Sequence, residues 1–231
     1  LTSSDERLVA VGRFEDDSLV SYSVMPSSVM PSKTMVHEAF SIVTLISGDN
    51  YVFSALTLLK SIKTHLSTGH TEVNCLHSRL NSTSVFRLQS AGCKCIEIQD
   101  ISGGHEGSQY SFEAKYGSGF NKIYAWSLDQ YDKILFLDSD TVLVKDVEHM
   151  FRFNVTQDSV AATIGRPLFN SGVMLLMPSK RVFAKLKAFY HNRKDWYIEN
   201  ETFVKRRPHD QQILGHFFTN NELPRKYNCI R

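Results

Sequence analysis

The fold of this chain is decided by the stretch Lys133-Ile134-Leu135-Phe136-Leu137-Asp138-Ser139-Asp140-Thr141-Val142-Leu143-Val144. Four apolar residues follow one another directly and end at two aspartates. An uninterrupted apolar run of this kind is typical of a parallel strand that is buried on both faces. Open α/β sheets bind their ligands at the carboxyl ends of such strands, so the stretch predicts a binding site at its aspartates.

The two aspartates suit a metal ion. If the strand continues through them, Asp138 and Asp140 stand at positions i and i+2 and point to the same side. Two carboxylates favour Mg²⁺ or Mn²⁺, and such an ion also binds the oxygens of a substrate phosphate. The spacing therefore predicts a divalent-metal and nucleotide site. The alternative is a strand that ends in an ordinary polar turn, because Asp and Ser are common turn residues.

Composition narrows the class of protein. The chain has 231 residues, of which 42% are hydrophobic, and this is enough for one large domain or two small ones with a sizeable core. The formal net charge is only +2. No strongly basic surface is indicated, so we expect neither nucleic acid nor an anionic membrane as a partner.

The rest of the chain divides near residue 36. Residues 1–36 mix charges with Ser, Met and Pro without helical or strand periodicity, which predicts a disordered leader or linker. We expect residues 37–231 to form one domain in which strands alternate with helices. The predicted strands are Ala39–Ile46, Glu72–His77, Lys94–Ile98, Lys133–Leu137, Ser159–Ile164 and Phe169–Pro178, and the predicted helices are Tyr51–His65, Thr83–Ala91, Phe120–Leu128 and those after Ser179 and His209. This alternation predicts an α/β fold, a mainly parallel sheet with helices on both faces.

Four separated stretches carry a family resemblance. They are Thr44-Leu45 with Tyr51, the segment from Lys122 through Gln130-Tyr131 to Thr141, Phe169-Asn170-Ser171-Gly172-Val173, and Asp210-Gln211-Gln212-Ile213-Leu214. In this order they resemble glycosyltransferase family 8, most closely its glycogenin-like members. The resemblance runs from Phe40 to Arg231. An Asp-x-Asp pair alone is a weak signal, but the four stretches together are specific.

The resemblance implies a GT-A fold, which is Rossmann-like, and a retaining transfer of a hexosyl group from a UDP-sugar. The family usually uses Mn²⁺, with Mg²⁺ as the alternative. The match assigns the metal to Asp138 and Asp140, and it assigns catalysis near the anomeric carbon to Asp210 and Gln211. The donor-binding positions that it implies are Leu45, Ser47, Tyr51, Lys122, Asp138, Ser139, Asn170, Ser171 and Gly172.

The chemistry gives a reason for these residue types. UDP leaves with developing negative charge, so a divalent ion and a lysine beside the diphosphate lower the barrier where that charge appears. Retention needs either a carboxylate or amide on the far face of the sugar or front-side attack, and the sequence leaves both open. Two alternatives stay open as well, namely that Lys122 is a solvated helix lysine and that Asp210 is a helix N-cap.

The chain departs from the family in three places. Gly48 stands where glycogenin-like proteins commonly have an asparagine, and Arg207-Pro208-His209 replaces an Asp-Gly-Gly-type approach to Asp210. The family's third metal ligand, a histidine of a downstream His-x-x-Gly-x-x-Lys-Pro segment, is not reached before Arg231. We therefore expect a C-terminally incomplete domain that binds UDP and metal more weakly than a complete enzyme.

Three other functions compete. A haloacid-dehalogenase-type phosphatase also has an apolar strand followed by Asp-x-Asp-x-Val, but that strand normally opens its domain. A glycoside hydrolase needs two carboxylates at least ~5 Å apart on opposite sides of the scissile bond, which neighbours on one strand do not supply. The third alternative is a truncated or degenerate domain that binds a nucleotide sugar without turnover.

The sequence does not single out one donor, one acceptor or one cellular location. The expected donor is UDP-glucose, as in glycogenin, or UDP-glucuronate, as in plant-type relatives, and the acceptor is a glycan or a protein. A homodimer is left open. Three sequons, at Asn81, Asn154 and Asn200, and four cysteines favour a Golgi lumen, with the cytoplasm as the alternative.

Overall fold

The structure, a computed structural model, describes residues 8–15, 18–26, 38–66, 71–101, 117–164, 169–192 and 210–228. Its contacts group into two units, Leu1–His37 and Glu38–Arg231. In the first unit, strands β1 (Leu8–Glu15) and β2 (Ser18–Pro26) form an antiparallel pair. These strands lie within residues 1–36, for which the sequence predicted a disordered leader, and that division of the chain stays a prediction. Both segments are rich in Val with a Tyr in the second, residue types that favour extended backbone, and pairing satisfies their backbone groups. The predicted domain limits, 37–231, stay a prediction.

The second unit contains, within the described residues, one seven-stranded sheet in the order β5-β4-β3-β6-β8-β7-β9. Strands β5, β4, β3 and β6 are parallel, β8 is antiparallel to both β6 and β7, and β9 is parallel to β7. The predicted α/β fold with a mainly parallel sheet is confirmed. The strands are β3 (Phe40–Ser47), β4 (Glu72–Ser78), β5 (Lys94–Glu97), β6 (Lys133–Leu137), β7 (Ser159–Ile164), β8 (Phe169–Leu176) and β9 (Thr219–Glu222).

Helices cover both faces of this sheet. Along β6, Ile134 and Phe136 belong to one buried apolar cluster, whereas Leu135 and Leu137 belong to another. Alternate residues of a strand point to opposite faces, so each face has its own core. The helices are α1 (Val52–His65), α2 (Ser82–Ser90), α3 (Lys180–Asn192) and α4 (Asp210–Phe217). None of the described helices is long and apolar enough to cross a lipid bilayer.

The helix predicted at Phe120–Leu128 is present before β6 as a 3₁₀ helix, Gly117–Ser127. Phe120, Ile123 and Trp126 recur at every third position and are at most 3% exposed. A helix with three residues per turn places such residues in one row. The same geometry turns Asn121 and Lys122 into the protein, where both are buried.

His77 is the second-to-last residue of β4, and it should make the stability of the folded protein depend on pH. Burial lowers the pKa of His77 below its ordinary value of 6.5, with Glu97 opposing the shift, and its Nδ1 has no hydrogen-bond partner among the described residues. Below about pH 6.5 the unfolded chain therefore binds more protons than the folded protein does. The stability that the neutral His77 leaves to the folded protein above that pH is lost as the pH falls. We expect His77→Gln to lose less unfolding free energy than the wild type between pH 7.5 and 5.5 in urea titrations.

The matched control for this prediction is His65→Gln, which removes a half-buried histidine at the end of α1. It should keep the acid sensitivity of the wild type. An equal loss of stability in His77→Gln and the wild type would contradict the assignment to His77.

Candidate active site

The two aspartates after β6 lie in a turn. Asp138 N donates to Gly172 O at 2.8 Å, which extends the pairing with β8 by one residue, and Thr141 N then donates to Asp138 O at 3.0 Å. Asp138 is half-buried, Ser139 is buried and Asp140 is exposed. The extended-strand geometry predicted for the pair is wrong, because the backbone turns at this point. The turn still keeps the carboxylates near each other, and the charge of Asp140 contributes to raising the pKa of Asp138.

The ammonium group of Lys122 connects three parts of the site. Nζ lies 2.7 Å from Asp210 Oδ2 and 3.2 Å from Asp138 Oδ1. It also donates to Ser171 Oγ at 2.9 Å. Lys122 is only 4% exposed, so these bonds replace the water that a lysine normally binds. The 3₁₀ segment, the end of β6, the start of β8 and the start of α4 therefore meet at one cation.

The electrostatics of the site favour bound positive charge. Burial by itself lowers the pKa of an ammonium group, but the carboxylates of Asp138 and Asp210 hold the pKa of Lys122 above its ordinary value. Burial raises the pKa of Asp138, as do the charges of Asp210 and Asp140, while Lys122 opposes the shift. One ammonium thus lies between the carboxylates of Asp138 and Asp210, while the charge of Asp140 acts on Asp138, and a further cation would relieve the repulsion among the three carboxylates.

The start of β8 allows a close approach that only glycine permits. Asn170 Oδ1 accepts a hydrogen bond from Gly172 N at 2.7 Å. A Cβ placed at Gly172 would lie 2.9 Å from that same Oδ1 and 3.1 Å from Asp138 Oδ2. The missing side chain therefore lets Asn170 and Asp138 converge on one another.

The remaining residues implied for the donor lie at the same edge of the sheet. Leu45 and Ser47 are half-buried at the carboxyl end of β3, and Tyr51 is 38% exposed just before α1. Gly48, between them, has a φ of +104°, a conformation that explains glycine where the family commonly has asparagine. Gln211 is half-buried in the first turn of α4, next to Asp210. Their assignment to donor binding or catalysis stays a prediction.

Sequence reasoning missed two residues of this region. Gly119 lies beside Asp210, since a Cβ there would be 3.7 Å from Oδ1 of that carboxylate. Ser78 pairs in register with Ser47, and both hydroxyls are buried without a hydrogen-bond partner among the described residues. A strand pattern extended by one residue beyond His77 would have found Ser78. No local signal links Gly119 to Asp210, because their contact depends on the tertiary fold.

The side chains present fit a divalent cation only in part. Asp138 and Asp140 offer the hard oxygens that such an ion prefers. No group of three or more His, Cys, Asp or Glu side chains within the described ranges is arranged to hold a metal ion. Ions such as Mg²⁺ are often held by one or two carboxylates together with substrate phosphates, and that is the arrangement these residues could supply.

Residues 42–231 match the sequence family described as Glycosyl transferase family 8. The chain belongs to glycosyltransferase family 8. Among similar curated proteins, Glycogenin-1 of Caenorhabditis elegans is 29% identical over 189 residues, which are 80% of this chain and 41% of that protein. The putative UDP-glucuronate:xylan alpha-glucuronosyltransferase 5 of Arabidopsis thaliana is 33% identical over 170 residues, 70% of this chain and 28% of that protein. The family 8 chain thus spans less than half the length of these two relatives.

Solved structures show the same fold. The galactosyltransferase LgtC, in complex with donor and acceptor sugar analogues, matches with a TM-score of 0.62 at 16% identity, over 80% of this chain and 74% of that one. The glycosyltransferase GlyE of Streptococcus pneumoniae matches with a TM-score of 0.57 at 22% identity, over 83% of this chain and 46% of that one. The fold is the GT-A fold of these glycosyltransferases. Members of family 8 with this fold generally use a divalent metal.

Removing the central cation should destabilise this family 8 domain. Lys122→Met leaves Asp138 and Asp210 facing each other without a counter-charge, and breaking a buried ion pair from one side costs about 3–5 kcal/mol. We expect a loss of that size in urea unfolding. Lys180→Met is the matched control, because its ammonium lies 2.9 Å from Asp129 but the lysine side chain is 73% exposed. An exposed pair contributes about 0–1 kcal/mol, so similar losses in both variants would contradict the assigned role of Lys122.

Adding one methyl group at Gly172 should also be costly. The Cβ of Gly172→Ala must push aside Asn170 Oδ1 or Asp138 Oδ2, and overpacking of this kind typically costs about 1–3 kcal/mol. Gly119→Ala is the control, since its Cβ would meet Asp210 Oδ1 at an ordinary 3.7 Å. We expect it to change the unfolding free energy by less than about 1 kcal/mol. Equal stability of the two variants would show that the contact at Gly172 is not tight.

Proposed function

We propose that this chain is the donor-binding and catalytic domain of a retaining hexosyltransferase that uses a UDP-sugar and a divalent metal. The observation that carries the proposal is the Lys122 ammonium, which is bonded to both Asp138 and Asp210 at the carboxyl edge of the sheet. Membership of glycosyltransferase family 8 supports the reaction class. Mn²⁺ is the proposed ion, with Mg²⁺ as the alternative.

The charges of the site match the reaction. When the bond between sugar and diphosphate breaks, negative charge develops on the leaving UDP. A bound divalent ion would supply Lewis-acid stabilisation of that charge, held by Asp138 and Asp140. Lys122 adds a fixed positive charge within the same group of side chains, and a preorganised charge needs no rearrangement as the reaction proceeds.

We assign roles to the other residues of the candidate site from their positions. Leu45, Ser47 and Tyr51 at the end of β3 would hold the base and ribose. Ser139, Asn170, Ser171 and Gly172 lie around Asp138, where the resemblance puts the donor. Asp210 and Gln211 would act near the anomeric carbon, either from the far face of the sugar or by orienting it for front-side attack. Both routes to retention remain within the proposal.

The proposed sugars are glucuronic acid and glucose. The first is supported by two similar proteins of Arabidopsis thaliana, which are named putative UDP-glucuronate:xylan alpha-glucuronosyltransferases. The second follows from the glycogenin-like resemblance. The proposed acceptor is a glycan or a protein. Location in a Golgi lumen or in the cytoplasm, and formation of a homodimer, remain predictions.

A second candidate is nucleotide-sugar binding without turnover. It is favoured by one observation, namely that no group of three or more His, Cys, Asp or Glu side chains among the described residues is arranged to hold a metal ion. The two candidates share the donor site. They differ in whether UDP is released from the sugar.

Binding of UDP is the first test of the donor site. A ligand at a hundred times its Kd stabilises the folded state by about 2.7 kcal/mol, which for a chain of this size is roughly 5–10 °C in Tm. We expect UDP to raise the Tm when Mn²⁺ is present and not when it is absent. Asp140→Asn should abolish the shift without lowering the Tm of the free protein, because Asp140 is exposed.

Asp158→Asn, an exposed aspartate in the turn before β7, is the matched control and should keep the full shift. Release of UDP from UDP-glucuronate and UDP-glucose then separates the two candidates. Turnover supports the transferase, whereas a thermal shift without UDP release supports the binding domain. If UDP does not raise the Tm either with or without Mn²⁺, both candidate functions are contradicted.

A further inference from the structure

The hydroxyl group of Ser171 is enclosed by the charged residues of the site. Ser171, in β8, is 1% exposed. Its Oγ accepts a hydrogen bond from Lys122 Nζ at 2.9 Å and donates one to Asp210 Oδ2, a short contact. The family resemblance assigns Ser171 to the donor, but the side chain faces these two protein groups.

The direction of each bond follows from the chemistry of the groups. An ammonium group only donates and an ionised carboxylate only accepts, so the single proton of Ser171 must go to Asp210. That proton is then not available to a sugar hydroxyl. The lone pair that remains on Oγ is buried with the residue, so a bound donor has little access to it.

We infer that Ser171 is a positioning residue, which fixes the orientation of the Asp210 carboxylate against the Lys122 ammonium and does not touch the donor. The inference rests on the proposed function, since the effect on catalysis is expected through Asp210. Asp210 comes from α4 and Lys122 from the 3₁₀ segment, elements separated from β8 in sequence. Ser171 bonds both of these side chains through its own side chain.

The surroundings of Asp210 show why a second group beside Lys122 is needed to orient its carboxylate. Lys122 Nζ and Ser171 Oγ both bind the same oxygen, Oδ2. Gly119 lies beside the other oxygen, Oδ1. Two bonds from different directions fix a carboxylate better than one. Without the Ser171 bond, the ion pair with Lys122 would set the distance but would hold the orientation less firmly.

Steady-state kinetics of UDP release from the UDP-sugar that the wild type turns over test this inference. We expect Ser171→Ala to lower kcat about tenfold to a hundredfold, the effect of losing a hydrogen bond to a charged group, with the donor KM within about twofold. Ser171→Thr, which keeps the hydroxyl, should recover most of kcat. A raised donor KM with unchanged kcat would overturn the inference, because Ser171 would then bind the donor.

Ser41→Ala is the matched control. Ser41 is fully buried in β3 at the opposite end of the sheet, and its hydroxyl is also hydrogen-bonded within the protein. It should lower the Tm without changing kcat. If Ser171→Ala does not fold, Ser171→Cys repeats the test, since a thiol of similar size is a weak hydrogen-bond donor. A kcat loss in Ser41→Ala equal to that in Ser171→Ala would overturn the inference.

A second measurement does not need turnover. In crystal structures of the ligand-free protein, Ser171→Ala should show the Asp210 carboxylate rotated or in two conformers, while the carboxylate stays paired with Lys122 Nζ. An unchanged carboxylate would overturn the positioning role. If the wild type releases no UDP from any UDP-sugar, the proposed transferase activity fails, and this structural comparison still decides whether Ser171 orients Asp210.

Discussion

The buried ammonium of Lys122 is the interaction on which the site depends. A lysine at 4% exposure has lost most of its water, and it stays charged only because two carboxylates and a hydroxyl replace that water. Those partners come from the end of β6, the start of β8 and the start of α4. Any shift of one element would leave charge buried without a partner. The cation therefore holds the ends of three elements in a fixed relation.

The antiparallel direction of β8 makes this meeting possible. In a purely parallel sheet, the carboxyl end of β6 would lie beside the carboxyl end of its neighbour. Because β8 runs the other way, its first residues lie beside Asp138, and Leu137 pairs with Val173. The motif Asn170-Ser171-Gly172 thus reaches the binding edge from the start of a strand. Gly172 completes the arrangement by leaving room for Asn170 and Asp138.

Much of the fold could be predicted from local patterns. The strand Phe40–Ser47, the helix Val52–His65 and the strand Ser159–Ile164 lie within a residue or two of their predicted limits, because their apolar periodicity is clear. Two features could not be found in this way, whereas the turn at Asp138 was one of the alternatives that the sequence left open. They are the 3₁₀ form of the helix Gly117–Ser127 and the strand β9, which forms by pairing with β7.

The candidate site, like the fold, could be predicted only in part from the sequence, and the charges of the site explain why. The sequence indicates Asp138, Asp140, Lys122 and Asp210 as members of one site, but it does not show that Lys122 is bonded inside the protein. With one ammonium against three carboxylates, the edge of the sheet repels a diphosphate. A donor that carries negative charge can bind there only together with a cation that offsets the carboxylates. Because Lys122 is already committed to Asp138 and Asp210, that cation must come from outside the described side chains, which is the physical reason to expect UDP and a divalent ion to bind together.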